Sequence, residues 1–169
     1  ASQFIVFDYP GEQNPSEKKI YQNQVHKKST GLDWLVQDIT GTNGLNYQHS
    51  EEDFVDFKVQ PLLPHMFSKS GPGIAVGDVN ADGLEDFFIG GTAASNGSFF
   101  FQNPDGNFIA HPLQEKSLSD DMGVLLFDAD NDNDLDLYVV SGGSENTEGT
   151  AMQQDRLYFN DGKGNFIYK

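Results

Sequence analysis

Asp78-Val79-Asn80-Ala81-Asp82-Gly83-Leu84-Glu85-Asp86 places oxygen-bearing side chains at its first, third, fifth and ninth positions and a glycine at its sixth. Calcium takes six to eight hard oxygen ligands, and a short turning loop supplies them best from alternate residues. Gly83 lets the backbone turn at positive φ, where a Cβ is costly. The string returns fifty residues later as Asp128-Ala129-Asp130-Asn131-Asp132-Asn133-Asp134-Leu135-Asp136. Asn133 stands in the glycine's place, and asparagine is the next most tolerant residue of the left-handed region. Two copies of one ligand spacing point to two calcium sites. Polar turns that merely happen to be rich in Asp and Asn do not account for a repeated nine-residue pattern. An EF-hand needs a bidentate Glu at position twelve and flanking helices. Position twelve is Ile89 in one copy and Val139 in the other, inside β-rich runs, so that geometry is disfavoured.

Outward from the loops the chain repeats. Gly73-Ile74-Ala75-Val76-Gly77-Asp78 aligns with Gly123-Val124-Leu125-Leu126-Phe127-Asp128, and Asp86-Phe87-Phe88-Ile89 aligns with Asp136-Leu137-Tyr138-Val139. After eight extra residues in the second copy, Phe99-Phe100-Phe101 aligns with Leu157-Tyr158-Phe159, and Gly106-Asn107-Phe108-Ile109 aligns with Gly164-Asn165-Phe166-Ile167. Each unit reads as strand, acidic loop, strand, variable loop, strand, glycine turn, strand. Four antiparallel strands in about fifty residues is the size of one propeller blade. The strands beside the loops are apolar at nearly every position, which predicts cover on both faces, as in a blade between two neighbours. The predicted fold is therefore all-β, built of propeller blades.

The first 72 residues are less periodic. Phe4-Ile5-Val6-Phe7 reads as a short strand, followed by a polar linker carrying Lys18-Lys19 and Lys27-Lys28. Trp34 to Thr40 reads as a strand, Gly41 to Gly44 as a turn, and Leu45-Asn46-Tyr47 as a second short strand. Phe54 to Gln60 alternates apolar and polar from Val55, which predicts a half-buried strand. Pro61 and Pro64 keep a helix from running through Leu62-Leu63. The organisation expected is an N-terminal strand and linker over 1–31, a lead-in β segment supplying part of another blade over 32–72, and repeats over 73–120 and 121–169.

These units resemble the FG-GAP repeat of integrin α-subunit propellers and its bacterial relatives, the VCBS repeats. Gln37-Asp38-Ile39-Thr40 with Gly44-Leu45-Asn46-Tyr47-Gln48-His49 is similar to the lead-in of secreted proteins related to cartilage acidic protein. The resemblance covers roughly residues 32 to 169. It implies calcium held by side chains at positions one, three, five and nine and by a main-chain carbonyl at seven. Carried over, site one is Asp78, Asn80, Asp82, the Leu84 carbonyl and Asp86. Site two is Asp128, Asp130, Asp132, the Asp134 carbonyl and Asp136. Asn80 gives site one a negative charge fewer, so by charge count site one is the weaker. A strained turn at Asn133 would offset part of that difference. Propellers close with about four to eight blades, and two copies stand in these 169 residues. Further blades from a parent chain, or self-association, are therefore expected to cover the end faces.

Composition bounds the function. Net charge is −16, and the two loops hold nine of the 26 acidic residues, so a nucleic-acid partner, which needs basic surface, is disfavoured. No run approaches the ~18 apolar residues of a membrane helix. Ala1-Ser2-Gln3-Phe4 lacks the basic and apolar regions of a signal peptide, so an export signal is expected upstream. Cysteine is absent, and metal sites and repeats can replace disulfides outside the cell. His26, His49, His65 and His111 share no metal spacing, and no HExxH or Gly-x-Ser-x-Gly string nominates an active site. Asp53 and Asp56 beside His49 imitate an acid–base cluster, and Trp34 with Phe99–Phe101 imitates a sugar platform. Chance neighbours and core packing are the simpler readings. The expectation is a non-enzymatic, extracytoplasmic calcium-binding module that serves as a rigid platform for a protein or glycan. Accessory blades of a carbohydrate-active enzyme and a purely structural spacer are the alternatives.

Overall fold

Each acidic loop turns an apolar strand back on its neighbour, and in the computed structural model this happens twice to give two antiparallel sheets. The structure describes residues 43–51, 53–115, 118–143 and 149–169. The strands expected at Phe4–Phe7 and Trp34–Thr40, with the lead-in Gln37–Thr40, lie outside the described residues. The first sheet is β1 (Ile74–Gly77), β2 (Asp86–Ile89), β3 (Ser98–Gln102) and β4 (Phe108–Pro112), in chain order. The second is β5 (Asp120–Phe127), β6 (Asp136–Gly142), β7 (Arg156–Phe159) and β8 (Ile167–Tyr168), also in chain order. No α-helix occurs among the described residues. The fold is all-β, and each sheet has the strand count and meander of a propeller blade.

Register explains the packing. In the first sheet Phe88 pairs with Phe99, and Phe87 with Phe100, so the two pairs point to opposite faces. The Phe88 face meets the second sheet. Phe88, Phe99, Leu137, Val139 and Tyr158 are all buried there, with Val124, Leu126 and Phe166 packed against them. Phe99 stacks on Phe166 across the boundary, centroids 4.2 Å apart. The other face is filled by Phe87 stacked on Phe100 at 4.8 Å, with Phe108 against Phe87 and the edge of Tyr47 against Phe100. The main chain just before β1 passes close to the middle of β5. A Cβ on Gly73 would lie 2.9 Å from the Val124 nitrogen, closer than real Cβ contacts come, so the approach needs a glycine. The Gly73 N–H donates to the Asp121 carbonyl at 3.2 Å. Asp121 in turn accepts the Gly91 N–H at 2.7 Å and pairs with Arg156, so one buried carboxylate ties both sheets.

Cover on both faces holds for β2, which is buried throughout. It does not hold for the second sheet, whose outer face shows Leu125 (55 % exposed), Phe127, Val140 and Ile167 (64 %) to solvent. On β1, Ile74 and Val76 are also exposed.

Two predicted strands do not form. Leu45–Tyr47 joins neither sheet as a strand, and Val55–Gln60 contains a 3-10 turn at Asp56–Lys58 instead. The alternation there misleads because the polar Asp56, not its apolar neighbours, is the inward residue: Asp56 is fully buried while Phe57 and Val59 are exposed. Its carboxylate accepts the Phe67 N–H at 2.7 Å, the Ser68 N–H at 3.1 Å and the Ser68 hydroxyl. Burial alone would raise its pKa, but the bonds from Ser68 and Phe67 outweigh it and hold the group below its ordinary value.

Removing this acceptor strands three donors, so Asp56→Ala is expected to cost about 2–3 kcal/mol at pH 7. A lowered folded pKa means the contribution is complete above the unfolded value of about 4 and is lost as pH falls through the folded value. Denaturant unfolding should therefore show the gap between parent and Asp56→Ala narrowing towards pH 3. A gap unchanged with pH would show that the charge of Asp56 is not what matters.

Candidate metal centre

The two acidic loops join β1 to β2 and β5 to β6, at the same end of each sheet's first hairpin. Several internal hydrogen bonds recur at matching positions of the two loops. The first aspartate curls the loop: Asp78 accepts from Asp82 N at 3.2 Å and Gly83 N at 2.9 Å. Asp128 likewise accepts from Asp132 N at 3.2 Å and Asn133 N at 3.1 Å. The fifth residue accepts from the seventh, Leu84 N to Asp82 at 2.8 Å and Asp134 N to Asp132 at 3.1 Å. The ninth is buried and ties the loop to the third strand of its sheet. Asp86 accepts from Val79 N at 3.2 Å and Gln102 N at 2.8 Å. Asp136 accepts from Ala129 N at 2.8 Å and Asn160 N at 2.9 Å.

This curl needs left-handed backbone at two positions. Gly83 (φ 84°) and Asn133 (φ 73°) occupy the sixth position, as the sequence suggests. The fourth position is left-handed too, at Ala81 (φ 59°) and Asn131 (φ 67°). The alanine gives no sequence signal of this, since its side chain has no polar group to favour the region.

Ligand atoms of Asp128, Asp130 and Asp136 lie within 4.8 Å of one another, the separation a single cation requires. Asp134 adds a feature the resemblance does not include. Its Oδ1 is buried without a hydrogen-bond partner. A Cβ on Gly162 would come within 3.3 Å of its Oδ2, so the carboxylate lies against that turn. Burial, and then the charges of Asp132, Asp136 and Asp130, push the Asp134 pKa up to about 6. Asp130 is raised by the same causes. In the first loop Asp86 is raised by burial, against the bonds from Gln102 and Val79, with Asp82 and Asp78 adding repulsion. Clustered carboxylates that raise one another's pKa favour a divalent cation among them. The donor set is hard oxygen throughout, which fits calcium.

In the first loop Asn80 turns inward, its Oδ1 accepting Asp82 N at 3.0 Å and its Nδ2 donating to Asp82 Oδ2 at 3.1 Å. Leu84 is half-buried on the same loop. Position twelve is Ile89 or Val139, both fully buried in strands, so no ligand can come from there.

The remaining polar residues are engaged elsewhere. His49 bonds Tyr47 and Glu51, His65 packs on Phe67, and His111 packs on Phe101. Asp53 pairs with Lys69 at 3.7 Å, and Asp56 is held by Ser68 and Phe67. Phe99 is core. Trp34 and His26 lie outside the described residues.

Residues 78–139 match the family model of the FG-GAP-like repeat, a span that runs from the first acidic loop to the middle of β6. No curated protein and no solved structure matches the chain. The chain thus carries an FG-GAP-like repeat, and both acidic loops fall within the matched span.

The left-handed fourth position carries its own test. Ala81→Asn should raise unfolding free energy by about 0.5–1 kcal/mol, and Asn133→Ala should lower it by about 1 kcal/mol, in urea titrations without divalent cations. A destabilised Ala81→Asn protein would contradict the backbone geometry described for the loop.

Proposed function

We propose that this FG-GAP-like repeat protein is a calcium-stabilised β-propeller module that works outside the cytoplasm as a rigid platform for a protein or glycan. The observation that carries the reading is the convergence of Asp128, Asp130 and Asp136 on one loop, whose Asp134 also buries an Oδ1 without a hydrogen-bond partner. The residues assigned to hold calcium are Asp78, Asn80, Asp82, the Leu84 carbonyl and Asp86 in one loop. In the other they are Asp128, Asp130, Asp132, the Asp134 carbonyl and Asp136. Bound there, calcium supplies positive charge and hard coordination to carboxylates that otherwise repel. Among these residues Asp86 and Asp136 have a second duty, because each is buried and accepts two main-chain N–H groups. They shape the hairpin whether or not a cation is present. Asp82 and Asp130 are exposed, so their carboxylates serve the cation more than the core.

An extracytoplasmic setting suits loops of this kind, since extracellular modules bind calcium with dissociation constants of about 10⁻⁴ to 10⁻³ M and depend on millimolar calcium. No helix of the described residues is long and apolar enough to cross a membrane. The open outer face of the second sheet, with Leu125, Phe127, Val140 and Ile167, is the counterpart of the first sheet's buried Phe88 face. A further repeat, from the same parent chain or from another copy, is the cover we assign to it.

At millimolar calcium each site contributes about 0.4–1.4 kcal/mol, so calcium should raise the melting temperature over chelator by about 2–10 °C. Asp82→Asn and Asp130→Asn should each remove one site's share. Asp86→Ala and Asp136→Ala should lower the melting temperature even in chelator. Identical melting curves in calcium and in chelator would reject the calcium reading.

A further inference from the structure

Asn160, at the end of β7, touches both acidic loops. Its main-chain N–H donates to Asp136, the ninth residue of the second loop, at 2.9 Å. Its side-chain Nδ2 donates to the Leu135 carbonyl of that loop at 3.1 Å and to the Val79 carbonyl of the first loop at 2.7 Å. The carboxamide cannot swing between these acceptors, because its Oδ1 accepts Asp161 N at 2.9 Å and Gly164 N at 3.1 Å. Two N–H groups at the oxygen and two carbonyls at the nitrogen also leave one orientation of the amide. The residue is 8 % exposed, so water does not compete for these bonds.

Both carbonyls sit between cation ligands. Val79 lies between Asp78 and Asn80, and its N–H donates to Asp86. Leu135 lies between Asp134 and Asp136. Leu135 also packs over Gly77, where a Cβ would meet its Cδ1 at 2.7 Å, one residue before the first loop begins. Gln102 stands at the matching place in the first sheet and repeats only the main-chain part of the scheme, donating to Asp86 at 2.8 Å. In the second repeat the side chain adds a reach across the sheet boundary.

We propose that Asn160 is a positioning residue that couples the two loops, so that cation binding at either one favours binding at the other. The inference rests on the calcium reading above. Ordering the second loop pins Leu135, and through the fixed carboxamide it pins Val79. The first loop then loses less conformational freedom when it closes on its own cation. Reciprocity requires the same effect in the other direction.

The test is calcium titration calorimetry on the full chain, following the second loop with the first loop intact or disabled by Asp82→Ala. With Asn160 present, Asp82→Ala should weaken calcium binding at the second loop about five-fold or more. With Asn160→Ala or Asn160→Asp, the same change should alter it by less than about two-fold. Asn160→Asp keeps the acceptor for Asp161 N and Gly164 N, so it preserves its own turn while losing the bridge. Melting in chelator reports the fold of each variant. Two sites that titrate independently in the parent would overturn the coupling, and that arm needs no Asn160 variant. Coupling that survives both Asn160 variants would overturn the role of this residue. A parent chain that takes up no calcium would instead reject the calcium reading, and the coupling with it.

Discussion

A buried carboxylate must be paired, and the fold depends on how two of them are. Asp86 and Asp136 are almost wholly inaccessible and lie near no basic side chain in the contacts they make. Each is satisfied by two main-chain N–H groups, one from its own acidic loop and one from the third strand of its sheet. Hydrogen bonds to an ionised acceptor are worth about twice neutral ones. One side chain per sheet thus fixes the width of the loop, the register of the first hairpin and the place where the third strand ends. With the ninth residue spent on architecture, Asp128, Asp130 and Asp132 of the second loop are left exposed, and Asp130 has its pKa raised by desolvation and then by the charges of Asp132, Asp136 and Asp128. The repulsion that makes the site receptive to a cation follows from the same compact turn.

The two sheets are joined by unlike devices. Aromatic and aliphatic side chains of one face of each sheet make the shared core, and Phe99 of β3 stacks on Phe166, the residue before β8. The polar side is carried by Asp121, which the inner strand of the second sheet aims at Gly91 of the first while Arg156 balances its charge. A close pass of main chain at Gly73 sets the spacing. The outer face of the second sheet, which is equivalent to the Phe88 face of the first, shows Leu125, Phe127, Val140 and Ile167 to solvent.

The repeated part of the fold was legible because its signals are local. Ligand spacing, the positive-φ sixth position, the apolar strands and the glycine turns each lie in a contiguous stretch, and the second copy removed the ambiguity of the first. The strand read at Val55–Gln60 shows where this fails. Alternation assumes that apolar residues face inward, and there Phe67 and Ser68, eleven and twelve residues away, reverse the sense by capturing Asp56. Ala81 is a similar case, because its left-handed backbone is imposed by hydrogen bonds to Asp78 and Asn80 from its successor and not by its own preference.

The amino-acid sequence by itself determined the all-β class, the four-strand unit and the two acidic loops. These are properties of neighbours along the chain, and periodicity and spacing record them directly. Tertiary structure alone decided which aspartates serve the core and which face outward, that the Asp134 side chain lies against the Gly162 turn with one oxygen buried and unpartnered, and that Asn160 lies between the loops. The bond from Asn160 to Val79 spans 81 residues. An asparagine in a glycine-rich turn looks like any other until the second sheet folds against the first and brings that carbonyl within reach.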